Sequence, residues 1–127
     1  MNKWDKRFMD LAQHVAQWSK DPSTKVGAII VDDKRRILGT GYNGFPRGVD
    51  DSEDRYNDRE LKYRFVVHSE LNAILNAVGP VEGCTLYVWP LFTCHDCAKL
   101  VIQAGIAKII SRKDVHKERW GSSYETA

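Results

Sequence analysis

Apolar residues recur at Trp4, Phe8, Leu11, Val15 and Trp18, in steps of four, three, four and three. Such steps keep one face of an α-helix apolar, so the pattern predicts an amphipathic helix with this stripe buried. Pro22 disfavours helical backbone at Asp21, which ends the helix near Lys20. Lys25 to Val31 (KVGAIIV) reads as a buried strand, Asp32–Arg35 as a polar turn, and Arg36 to Gly41 as the returning strand of a hairpin. Residues from Tyr42 to about Phe65 break the rhythm. They open with Asn43-Gly44 and Pro46-Arg47-Gly48 and become the charged stretch DDSEDRYNDRELKYR, predicted to be a long functional loop with a short helix around Asn57–Arg64. His68 to Val78 then reads as a helix with Leu71, Ile74, Leu75 and Val78 inward, stopped by Gly79-Pro80. A strand (Cys84–Trp89), a helix (Cys94–Ala104, closed by Gly105) and a last strand (Ile106–Ser111) follow. This order predicts a three-layer α/β/α sandwich on a mixed sheet, and the length fits one domain over 1–127. The polar tail after about residue 112 receives no element.

Composition narrows the field. Hydrophobic residues make up 43% and charged residues 28%, as in ordinary globular proteins. No apolar run approaches the roughly 20 residues of a membrane span. Nineteen basic against seventeen acidic residues leave +2, too balanced to argue for a nucleic-acid or membrane partner. The N-terminal segment is charged and lacks an apolar signal core, so a cytoplasmic location is expected. Three cysteines, an odd number, favour a metal or reactive thiols over a disulfide framework.

The chemistry concentrates in His68-Ser69-Glu70 and Cys94-His95-Asp96-Cys97. Two cysteines three apart at a helix start can turn both thiolates to one ion, where the helix dipole favours their charge. An imidazole from another helix adds a third ligand and leaves the fourth position of a zinc ion open, the catalytic pattern. Glu70, two residues past His68, is placed to take a proton without ligating. H-x-E followed by P-C-x-x-C is the zinc deaminase signature; here Thr93 precedes Cys94 and the nearby proline is Pro90.

Taken together, DPSTKVGAIIV, GTGYNGFPRG, HSELNAILNA and CAKLVIQAGI resemble the deoxycytidylate (dCMP) deaminase family of the cytidine deaminase-like superfamily. The likeness runs from about residue 4 to about residue 112. It implies one catalytic zinc on His68, Cys94 and Cys97, with Glu70 as proton shuttle. It implies conversion of dCMP to dUMP and ammonia: activated water adds to C4 of cytosine while Glu70 protonates N3 and then the departing amino group. It also implies a homohexamer activated by dCTP and inhibited by dTTP, with Mg²⁺ accompanying the triphosphate. Asn43 is a candidate for the deoxyribose hydroxyl and Lys25 for the substrate. Tyr42, Asn43, Gly44 and Arg47 are candidates for the effector. Three departures stand out: Ser69 replaces the usual Ala, WPLFTC is one residue longer than the common form, and the chain ends at SSYETA where many relatives continue. No second set of Cys and His suggests another zinc site.

Each residue also has a plainer reading. His68 alone fits a buried, hydrogen-bonded histidine, and Glu70 alone a first-turn acid favouring the helix dipole. Cys94 and Cys97 fit a redox pair, although H-x-E then goes unexplained. Asn43-Gly44 fits a tight turn. Cys84 reads as core, and His14, His95 and His116 as surface or structural. Rival functions are a deaminase of bases in tRNA or single-stranded DNA, a free cytidine deaminase, and a non-catalytic nucleotide- or zinc-binding module.

Overall fold

A computed structural model describes residues 2–92 and 95–112 of the chain. Helix α1 (Lys3–Ala16) starts where the Asp5 amide donates to the side chain of Asn2 at 2.8 Å. Its buried stripe is Phe8, Met9, Ala12, Val15 and Ala16. The expected burial of Trp18 fails: its residue is 53% exposed. The helix stops two residues earlier, so Trp18 has left the helical phase that would have turned it inward. Its ring instead meets the edges of His14 and Tyr42.

Strands β1 (Gly27–Val31) and β2 (Ile37–Tyr42) form the expected antiparallel hairpin. Asp32 tightens its turn by accepting the amides of Lys34 and Arg36 at 2.9 Å. The charged stretch folds into two short helices, α2 (Glu53–Asn57) and α3 (Arg59–Phe65), the first of which the sequence pattern did not show. Then come α4 (Ser69–Asn76), β3 (Thr85–Trp89), α5 (His95–Gln103) and β4 (Lys108–Ile110). The sheet order is β2-β1-β3-β4, antiparallel except for the β3–β4 pair, so the sheet is mixed. One face packs Ile29, Val31 and Tyr87 against α1. The other packs Ala28, Ile30, Leu86 and Val88 with residues of α4 and α5. The alternation along β1 thus serves two cores, which is why all five of its residues are buried.

Helix α4 corrects the sequence reading most. Val78, 84% exposed, lies past the end of the helix at Asn76. Leu75 is 71% exposed, while Ser69, Glu70 and Ala73 are buried. The cause lies on β2. A Cβ on Gly41 would strike the backbone of Ser69, Asn72 and Ala73, and one on Gly39 that of Ala73 and Ala77. The helix backbone therefore lies directly on a glycine-surfaced strand, and this contact admits small residues rather than a leucine stripe. Asn72 and Asn76 fasten it, donating to the outer carbonyls of Tyr42 at 2.9 Å and Thr40 at 3.0 Å. Gly41→Val is expected to destabilise the fold by about 3 kcal/mol, the upper end for overpacked sites. Urea unfolding measures this, and a variant as stable as the parent would refute the close approach.

Candidate active site

The start of α4 faces the start of α5 beneath the end of the sheet. His68 is the N-cap of α4 and Glu70 lies in its first turn. Cys97 lies in the first turn of α5, 5% exposed. His68 Nδ1 is 3.2 Å from Cys97 Sγ, and ligand atoms of His68, Glu70 and Cys97 all lie within 4.8 Å of one another. Zinc–nitrogen bonds of about 2.0–2.1 Å and zinc–sulfur bonds of about 2.3 Å, at a tetrahedral angle, separate such a pair by about 3.5 Å. The nitrogen–sulfur pair therefore fits one shared zinc ion. Cys94, the third expected ligand, lies outside the described residues, as does His116. Cys84 is a core thiol, 3% exposed, and burial pushes its pKa up, which keeps it protonated.

Glu70 is 4% exposed, and Ser69, itself buried, donates its hydroxyl to Glu70 Oε1. That contact holds one carboxylate oxygen. A buried carboxylate beside a His–Cys pair is poised for proton transfer rather than solvation.

Above this group opens a cavity of about 260 Å³. His68, Ser69 and Glu70 line it from α4, Asn43 from just past β2, Asp21 from the turn after α1, and Lys62 from α3. Asn43 is 7% exposed and heavily engaged. Its Oδ1 accepts from the Val26 amide at 2.9 Å, and its Nδ2 donates to the Thr24 carbonyl at 2.9 Å and to Asp21 Oδ2 at 3.4 Å. It ties the end of β2 to the approach to β1 and borders the cavity at the same time. Lys25 turns away toward the end of α1, its Nζ donating to the Ser19 carbonyl at 2.7 Å.

Sequence reasoning missed Asp21 and Lys62. Lys62 Nζ lies 2.8 and 2.9 Å from the two carboxylate oxygens of Asp21 and 2.8 Å from Ser23 Oγ. Burial pushes the Asp21 carboxyl up, but hydrogen bonds from Lys62 and from the Ser23 and Thr24 amides outweigh it and hold the pKa below the ordinary value. The signal was Asp21-Pro22-Ser23-Thr24, an acid followed by residues that bend back onto its side chain.

Of the four effector candidates, Asn43 belongs to the first cavity, and Tyr42, Gly44 and Arg47 lie elsewhere. Tyr42, Gly44, Arg47, Val67, Asn72 and Asn76 line a second cavity of about 370 Å³. Arg47 donates to Asn76 Oδ1 at 3.0 Å. Gly44 and Val67 exchange two backbone hydrogen bonds, of 3.1 and 2.7 Å. Their neighbours Asn43 and Val66 border the first cavity, so this short ladder is a wall common to both.

Residues 2–113 match the family described as the cytidine and deoxycytidylate deaminase zinc-binding region. The chain is 43% identical over 129 residues to an uncharacterized deaminase from the luxG 3′ region of Aliivibrio fischeri, covering 100% of this chain and 86% of that one. It is 44% identical over 122 residues to the deoxycytidylate deaminase of Homo sapiens, covering 91% and 68%. Among solved structures it resembles the dCMP deaminase of cyanophage S-TIM5 in complex with dCMP and dUMP, at TM-score 0.73 and 27% identity over 98% of this chain and 95% of that one. The close approach of His68, Glu70 and Cys97 and these likenesses agree, and the chain belongs to the cytidine and deoxycytidylate deaminase zinc-binding family.

Proposed function

We propose that this single domain is a zinc-dependent dCMP deaminase, a hydrolase of the cyclic amidine C–N bond that yields dUMP and ammonia. The observation that carries the reading is the buried Glu70 carboxylate beside the His68–Cys97 pair at a cavity sized for a small molecule. His68 and Cys97, with Cys94, would hold the zinc. When bound there, zinc supplies Lewis acidity that makes water a nucleophile near neutral pH. Glu70 does the rest of the proton work. It takes a proton from the attacking water and delivers it to N3 as oxygen adds to C4, then takes the remaining proton of the new C4 hydroxyl and delivers it to the exocyclic nitrogen as the C4–N bond breaks and C4=O forms, releasing ammonia. Ser69 steadies the carboxylate through these exchanges. The Asn43 amide, pinned by Val26 ahead of β1 and by the Asp21 turn, shapes the sugar side of the cavity. The test is ammonia release from dCMP, deoxycytidine and a single-stranded oligonucleotide, with zinc content measured alongside. Preference for dCMP is the expected result. Equal or better turnover of the oligonucleotide would favour a nucleic-acid deaminase and overturn the reading.

Regulation belongs to the same proposal. The second cavity takes dCTP or dTTP with Mg²⁺, and Arg47 meets the triphosphate with a forked donor. The Gly44–Val67 ladder relays its occupancy, because Val67 precedes the ligand His68. An effector acts only if it binds two states of this wall unequally. Leu75 on α4 and Val78 just past its end are exposed apolar residues available for assembly into a homohexamer. In dCMP saturation curves, dCTP is expected to raise and dTTP to lower the apparent affinity. Arg47→Ala is expected to weaken that response more than basal catalysis. Curves that neither nucleotide moves would remove the regulatory claim and leave the deaminase claim standing.

A further inference from the structure

The substrate cavity holds one clear imbalance of charge. Among its described lining residues, Asp21 and Glu70 are acids, and Lys62 is the one lysine or arginine. Three described cations of the neighbouring segments are engaged elsewhere. Lys20 pairs with Asp51 at 2.9 Å, Lys25 donates to the Ser19 carbonyl, and Arg47 sits in the other cavity. We propose that Lys62 is the specificity residue that selects a phosphorylated nucleotide over the free nucleoside, by donating to the phosphate from its seat on Asp21. This rests on the reading of the cavity as a dCMP site.

The seat explains how one lysine can serve both partners. The Asp21 carboxylate also accepts from the Ser23 amide at 2.9 Å, the Ser23 hydroxyl at 3.0 Å, the Thr24 amide at 3.2 Å and Asn43 Nδ2 at 3.4 Å. With so many donors, Asp21 can release one lysine hydrogen without being left unpaired in the interior. Without substrate the pair is neutral, so the side chain of Lys62, only 13% exposed, is kept in place at no cost of an isolated buried charge. A phosphate dianion entering the cavity offers a stronger acceptor than Ser23 Oγ, and a flexible four-carbon stem lets the ammonium turn toward it while still holding Asp21. A nucleoside presents no anion there and draws nothing from Lys62.

Two variants test this. Lys62→Gln removes the charge and keeps a donor for Asp21. The double variant Lys62→Met with Asp21→Asn removes both charges, so neither is stranded. Steady-state kcat/KM is measured for dCMP and deoxycytidine on preparations matched for zinc content and Tm, and dUMP affinity by calorimetry. The kcat/KM ratio of dCMP to deoxycytidine is expected to fall about 10–100-fold in either variant, the worth of a hydrogen bond to a charged group. The loss should appear in KM and in dUMP affinity, and Lys62→Arg should restore part of it. A purely structural role would instead depress both substrates together, which would overturn the proposal. So would a folded, zinc-loaded variant that keeps the parental ratio, with the dCMP reading intact. A parent enzyme that shows no preference for dCMP would overturn the reading and the proposal at once.

Discussion

Replacing Glu70 by Gln is expected to lower kcat for dCMP about 10²–10⁴-fold, the range that general acid–base catalysis supplies. Zinc content and Tm should stay at parental values. The physical basis is narrow. Gln has the shape of Glu and keeps an oxygen to accept the Ser69 hydroxyl, so the local packing at a residue only 4% exposed is undisturbed. It cannot, however, take a proton at one moment and give it up at the next. The loss should therefore appear in turnover more than in KM, marking an interaction made in the transition state. Near-parental kcat in a zinc-loaded Glu70→Gln protein would remove Glu70 from the mechanism.

Cys97→Ser is expected to take bound zinc from about one per chain to near zero and activity to background. Serine stays protonated at neutral pH, and only a deprotonated ligand binds the metal well. Cys84→Ser provides the contrast. Both sulfurs are buried, but Cys84 sits at the edge of β3 in the apolar core, whereas Cys97 faces His68. Cys84→Ser should lose stability from a hydroxyl placed among apolar neighbours and keep its zinc. Cys97→Ser should lose metal, and with it whatever part of Tm the metal contributes. Elemental analysis beside a thermal melt separates the two. A fully metallated, active Cys97→Ser protein would point to a different ligand set.

The chemistry was more legible than the surfaces. H-x-E and C-x-x-C have short spacings with direct geometric meaning, so the approach of His68 to Cys97 follows once two helix starts are brought together. The strands were legible too, because β1 is a continuous apolar run and β2 returns after a polar turn. What misled was the assumption that large apolar residues mark the inward face. On α4 the glycines of β2 decide which face turns in, and they belong to another segment of the chain. Periodicity within 68–78 holds no trace of Gly39 and Gly41, so Leu75 reads as core, and Val78 reads as core because its spacing continues a helix that ends at Asn76. Trp18 misled for a simpler reason: its spacing continues a helix that has already ended. Lys62 lay hidden among the charges of a stretch that reads as solvated surface. Its partner Asp21 stands 41 residues away, and only the folding back of α3 onto the turn after α1 joins them.

The asparagines that α4 lays along β2 have a consequence for how copies of this protein meet. β2 is one edge strand of the sheet, and its carbonyls at Thr40 and Tyr42 already receive Asn76 and Asn72. An outer strand with unused backbone groups invites another strand to extend the sheet, the route to fibrils and exchanged segments. Here the acceptors at two alternate positions already hold hydrogen bonds from the chain's own helix, which disfavours continuation of the sheet across β2. A contact made along this flank is then made by side chains, such as the exposed Leu75 on α4, rather than by a continuing ladder.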